Sequence, residues 1–183
     1  MHVHSFDPIA DHRAHVLILG SMPGKASLAA HQYYAHPRNL FWPLVGEILG
    51  FDPTASYHER TRCLLRAGVA LWDVLETCTR TSSLDSDIVE SSIEVNDLPA
   101  FLADHSKIER IVFNGAKAEH SFLRYVLPKL EESERYALLR VPSTSPANAS
   151  IPRAKKLAAW RAALTWDART RPNRARPGAR PPR

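Results

Sequence analysis

Four short apolar runs decide what this chain can fold into. HVLILGS (residues 15–21), GVALWDVL (68–75), RIVFNG (110–115) and YALLRVPSTSP (136–146) are each too short for a helix and each break into Gly, Pro, Asn or Ser. Helical patterns lie between and after them, at residues 40–49, 58–67, 97–105 and 116–130, with a last one at 152–166 opened by Pro152. Within 116–130, Leu123, Leu127 and Leu130 recur at spacings of four and three, which predicts one buried stripe. Strands alternating with helices require crossovers that return the chain to the same end of the sheet. The expectation is an α/β fold, a three-layer α/β/α sandwich with a central four-stranded parallel sheet, formed by a single domain over residues 1–166. Ligands of such sheets bind beyond the C-terminal ends of the strands. The loops to inspect are therefore SMPGK, the stretch after LWDVL, NGAK and PSTSPANAS.

Charge narrows the reading further. The 183 residues carry 24 Lys and Arg against 19 Asp and Glu, a net charge of +5. Six Arg and one Asp fall in residues 167–183, leaving 18 charges of each sign in residues 1–166. The basicity belongs to an Arg/Pro/Ala-rich tail, whose composition predicts disorder. No apolar run approaches the roughly 18 to 20 residues of a membrane-spanning helix, and the N-terminus lacks a signal-peptide pattern. The chain is expected in the cytoplasm, without membrane association. Cys63 and Cys78 are too few for an iron–sulfur cluster or a Cys-rich zinc site and are expected reduced and buried. His2, His4, His12 and His15 complete no metal-binding spacing, so no metal and no cofactor is expected.

The segment GSMPGKASLAAHQYYAHPRNLFW (20–42) is too long for a simple connection, and long ordered loops are usually functional. It concentrates Ser21, Lys25, Ser27, Tyr33, Tyr34, His36, Arg38 and Asn39. It is neither a P-loop nor a Gly-x-Gly-x-x-Gly dinucleotide turn. Lys25 suggests Schiff-base chemistry, but no evident apolar pocket is there to depress its pKa.

Gly20-Ser21-Met22-Pro23-Gly24, Tyr34-Ala35-His36-Pro37-Arg38-Asn39-Leu40-Phe41-Trp42 and Pro142-Ser143-Thr144-Ser145-Pro146-Ala147-Asn148 resemble the uracil-DNA glycosylase superfamily. The Gly-Ser-x-Pro opening, Leu71-Trp72-Asp73-Val74-Leu75, Asn114-Gly115 and Ser-Thr-Ser-Pro-Ala-Asn resemble its hypoxanthine-DNA glycosylase (DNA-deoxyinosine glycosylase) branch. The resemblance spans residues 16–160. It implies a monofunctional, cofactor-independent enzyme, acting as a monomer, that hydrolyses the N-glycosidic bond of a flipped deaminated base and leaves an abasic site. Its partner would be DNA containing such a base, with hypoxanthine preferred. Uracil, mismatched or etheno bases are the alternative substrates, and a catalytically silent module that binds damaged DNA is the rival from another class.

The resemblance also implies roles. Tyr34 would stack under the flipped base, a contact worth roughly 1–3 kcal/mol, unless it and Tyr33 merely pack the loop. Met22 stands where sister branches hold a water-positioning Asn or Asp, and a thioether cannot do that work. The role passes to Asn39, since water attacking an oxocarbenium-like sugar needs orientation more than deprotonation. Asn39 would equally cap the helix that follows. Asp73, as a carboxylate, could accept the N1–H of hypoxanthine, a donor adenine lacks at that atom, or could be a structural cap or an ion-pair member. Asn114 is either a polar pocket wall or a backbone brace. Ser21 and Met22 would line the base pocket. Ser143, Ser145 and Asn148, with Ser21 and the Gly24 amide across the groove, would hold the DNA backbone, whereas a turn with an N-cap would explain only one Ser. The serine loop carries no large wedge residue. His36 is expected to orient the Asn39 loop, and Asp85 and Asp87 are expected to be loop carboxylates.

Overall fold

The structure is a computed structural model that describes residues 1–165. Along the chain come β1 (His2–His4), β2 (Val16–Gly20), α1 (Lys25–Ala30), α2 (Phe41–Leu49), α3 (Tyr57–Arg66), β3 (Val69–Asp73) and β4 (Leu75–Thr79). They are followed by β5 (Glu94–Val95), α4 (Leu98–Asp104), β6 (Arg110–Asn114), α5 (Ala116–Tyr125), β7 (Ala137–Val141) and α6 (Arg153–Leu164). The predicted four-stranded sheet is present in the order β3-β2-β6-β7, with every neighbouring pair parallel.

The central strand explains the layering. All five residues of β2 are buried. Val16 and Ile18 point into one hydrophobic cluster, with Phe41, Leu44 and Val45 of α2, Leu64 of α3 and Trp160 of α6. Leu17 and Leu19 point into the other, with Leu98 and Leu102 of α4 and Phe122 of α5. Alternation of side chains along a strand thus feeds two cores from one apolar run. Each large side chain withdrawn from water contributes about 1.5–3 kcal/mol. Among the described residues no helix is long and apolar enough to cross a membrane.

The structure corrects several expectations. Helix α5 stops at Tyr125, and Leu127–Lys129 form a single 3-10 turn. Leu123 is 42 % exposed, while the buried face is Ala118, Phe122 and Val126, each four apart. Pro128 has no N–H to continue an α-helix and disfavours helical backbone at Leu127, so the stripe of three leucines never forms. The run at 68–75 breaks after Asp73, and Leu75 opens β4, which pairs antiparallel with β1 and β5 in a second sheet of order β1-β4-β5. The 20–42 segment contains α1. Cys63 is only half-buried, because it lies on the outer part of α3, whereas Cys78 in β4 is buried; both are free thiols. The last helix ends at Leu164, and the tail at 167–183 lies outside the described residues.

Candidate active site

All four parallel strands end on one edge, and the residues there stand in register. Gly20 pairs with Asp73, and Asn114 with Val141. Beyond this edge lies a cleft of about 370 Å³ bordered by Tyr34, Asn39, Asp73, Asn114 and the serine loop. Its size falls in the range of small-molecule sites.

The floor is where Asp73 meets Gly20. A Cβ at Gly20 would lie 2.3 Å from Asp73 Oδ1 and 3.0 Å from the Tyr34 hydroxyl, so only glycine leaves room for both groups. Asp73 is 2 % exposed, and its Oδ2 has no hydrogen-bond partner. Burial, helped by the charge of Asp85 and opposed by Arg80, pushes its pKa up to about 8. An ionised carboxylate, as expected from the sequence, only accepts. With burial holding the proton near neutrality, Asp73 offers one donor and one acceptor.

Tyr34 adopts left-handed backbone at φ 56°, which a bulky residue takes only when its surroundings hold it there. One face of its ring stacks on Phe41 at 4.0 Å between centroids. Its hydroxyl is buried with no partner at full hydrogen-bond geometry, and burial followed by the Asp73 charge raises its pKa against the opposing pull of the nearby Asn114 amide. Tyr33 differs. Its hydroxyl donates to the carbonyls of Phe6 and Asp7, its N–H donates to Tyr57 Oη, and it is buried in the core. Met22 also borders the cleft, from a buried position in the core cluster beneath it.

Asn39 lies one residue before Leu40, the N-cap of α2, which has no side-chain cap; its Oδ1 accepts the Phe41 N–H at 2.9 Å, and the residue borders the cleft at the same time. The next N–H, that of Leu40, donates to the Thr144 carbonyl and ties this loop to the serine loop. His36 Nδ1 accepts the Arg38 N–H at 3.1 Å, within the loop that carries Asn39. Ser21 Oγ donates to Asp85 Oδ1 at 2.7 Å, which makes Asp85 a partner of the first motif. Lys25 Nζ donates to the Thr81 carbonyl at 3.0 Å, and the Lys25 N–H to Ser83 Oγ at 2.9 Å.

The serine loop is folded largely by its own polar groups. Ser143 Oγ accepts the Ser145 N–H, and Ser145 Oγ accepts the Ala147 N–H. Asn148 Nδ2 donates to the Ser143 carbonyl. Thr144 turns inward: its Oγ1 accepts from Asn114 Nδ2 at 3.0 Å, and its N–H donates to Asn114 Oδ1 at 2.9 Å. Asn114 thus braces the serine loop while it also borders the cleft. Gly115, at φ 100°, lets the chain pass where a Cβ would lie 2.9 Å from Ser143 Cβ.

Two buried cations escaped the sequence reading. Lys156, on α6 and 2 % exposed, donates to the carbonyls of Ser143 and Asn148, each at 2.7 Å, and burial lowers its pKa. Arg80 is fully buried and donates through Nη2 to the Pro23 carbonyl, while its Nε and Nη1 have no partner. Arg80 binds a carbonyl far away in the chain and Lys156 binds two in the loop before its own helix, contacts that carry no periodicity and no motif.

A family model described as the uracil DNA glycosylase superfamily matches residues 6–166. A hypoxanthine DNA glycosylase from Methanosarcina barkeri (strain Fusaro / DSM 804) is 38% identical over 114 residues, which cover 62% of this chain and 71% of the relative. A protein of the same name from Methanosarcina acetivorans is 36% identical over 114 residues with the same coverage. The solution structure of a Methanosarcina acetivorans protein provisionally described as a uracil DNA glycosylase superposes with a TM-score of 0.75. It is 30% identical, and the match covers 90% of this chain and 97% of that one.

Proposed function

Because the chain belongs to the uracil DNA glycosylase superfamily and is a DNA glycosylase, we propose that it acts as a monomer in the cytoplasm and preferentially excises hypoxanthine from deoxyinosine. The observation that carries the substrate is the buried Asp73, whose unpartnered Oδ2 lies at the floor of the cleft. Hypoxanthine presents N1–H beside O6. A neutral carboxyl group accepts from the first and donates to the second, which stabilises negative charge developing on the departing purine. A pocket built around such a pair rejects bases that leave its polar groups unpaired.

The remaining roles follow from position. The base leaves the duplex to reach the cleft, at a cost of about a few kcal/mol, and the Tyr34 ring, backed by Phe41, receives it. Asn39 orients water toward C1′ of the deoxyribose as the glycosidic bond opens, so that orientation replaces a strong base. Ser143, Ser145 and Asn148 meet the backbone phosphates from one rim and the Gly24 amide from the other, while Ser21, whose hydroxyl donates to Asp85, lines the base pocket. Lys25, already engaged with the Thr81 carbonyl, forms no Schiff base.

Uracil is the second reading, because its N3–H and O4 offer the same donor and acceptor. The test is incubation in EDTA with oligonucleotides bearing one deoxyinosine, uracil or ethenocytosine, followed by alkaline cleavage of abasic sites. The reading predicts strand breaks first at deoxyinosine. Breaks at uracil alone overturn the substrate, and none at stoichiometric enzyme overturns excision.

A further inference from the structure

Extruding a base leaves a hole in the stack, and proteins that distort DNA in this way often fill such gaps with an apolar side chain. The serine loop presents hydroxyls, an amide, Pro146 and Ala147, but no side chain long enough to enter a duplex. The opposite rim has one. Leu84 is 47 % exposed, one of four large hydrophobic residues so exposed among the described residues. Of these four it alone borders the cleft.

An exposed leucine is ordinary by itself; this one is held in place. The Leu84 N–H donates to Ser82 Oγ at 2.9 Å, and its carbonyl accepts the Asp87 N–H at 3.2 Å. On either side of it, the rim is tied to the first motif by the bonds from Lys25 to Thr81 and Ser83 and from Ser21 to Asp85. The neighbouring carboxylates turn back onto the protein, Asp85 to Ser21 and Asp87 to the Thr81 hydroxyl at 3.2 Å. Leu84 is thus an apolar tip on an anchored rim, beside the opening through which a base would enter.

We propose that Leu84 enters the duplex and occupies the space vacated by the flipped nucleotide. The two rims then divide the work, with the polar groups of the serine loop on phosphates and an apolar side chain in the stack. This inference rests on the base-excision reading above, and the test separates the two. Single-turnover excision is compared on one deoxyinosine oligonucleotide in duplex and in single-stranded form, since only the duplex has a stack to fill. Leu84→Ala should lower the duplex to single-strand rate ratio about tenfold or more, and Leu84→Phe should restore it. Val89→Ala, equally exposed but away from the cleft, should leave the ratio as in the wild type. If Leu84→Ala leaves the ratio unchanged, or slows both forms equally, Leu84 is a rim or pocket wall and the wedge is wrong while excision stands. A wild type inactive on both forms overturns the excision reading and the wedge with it.

Discussion

The floor of the cleft and its serine-loop rim are both polar, yet they treat their polar groups in opposite ways. On the rim, Ser143, Ser145, Thr144, Asn148 and Asn114 bond one another or nearby backbone, and Lys156 fastens two of the loop's carbonyls. On the floor, Asp73 Oδ2 and the Tyr34 hydroxyl are buried without partners. Unpaired buried polar atoms are costly and therefore uncommon in folded proteins. The rim is a finished scaffold, whereas the floor is completed by what binds to it.

That contrast can be broken at several points. The largest effect is expected at Asn39, between the two regions. Asn39→Ala should slow single-turnover excision of hypoxanthine by about a hundredfold or more while the dissociation constant for deoxyinosine DNA stays within about threefold. A near wild-type rate would leave Asn39 as a support for the start of α2 alone. Lys156→Met should act on the rim by leaving two carbonyls without their donor. A loss of about 2 kcal/mol or more in urea unfolding is expected, together with about tenfold weaker DNA binding. Unchanged stability would mean that the rim holds its shape without the buried ammonium.

Asp73→Asn should do the reverse to stability. Asp73 has an ordinary pKa of 3.8 and a folded value of about 8. Between them the folded state holds a proton that the unfolded state has lost, so stability falls as pH rises from about 4 to about 8. The amide has no charge to bury, and at pH 8 the variant should melt higher by at least about 2–4 °C. A lower melting temperature there would show that the charged form is well accommodated. The smallest effect is expected from the tail. Deleting residues 167–183 removes six Arg and should make binding less salt-dependent, while leaving single-turnover excision at saturating enzyme as in the full chain. An unchanged salt slope would remove the tail from DNA recognition.

The sequence exposed the parts of this molecule that repeat a simple rule. Central strands covered on both faces must be apolar through their middles, so β2 and β6 stand out, and the loops after the strands are fixed by topology. Asn39 and the serines occupy those loops and Asp73 closes β3, all within recognisable motifs. The second sheet was hidden, since β1 and β5 are three and two residues long, too short for alternation to register. The stripe at Leu123 failed because a proline stop outranks periodicity. The brace between Asn114 and Thr144 and the Arg80 contact join distant segments, and Lys156 reaches from its helix into the loop before it. Local patterns do not encode such contacts. Leu84 likewise looks like any loop leucine until the cleft beside it is seen.

The most direct measurement is the single-turnover rate of hypoxanthine release from a deoxyinosine duplex across pH 6 to 9.5, wild type against Asp73→Asn. If the neutral carboxyl group reads the base, the wild-type rate falls as pH passes about 8. Asp73→Asn, whose amide also donates and accepts, stays active with a flatter alkaline limb, and any titration of the base itself is common to both. A wild-type rate that rises through pH 8, or an Asp73→Asn variant that falls in parallel with the wild type, would contradict the account.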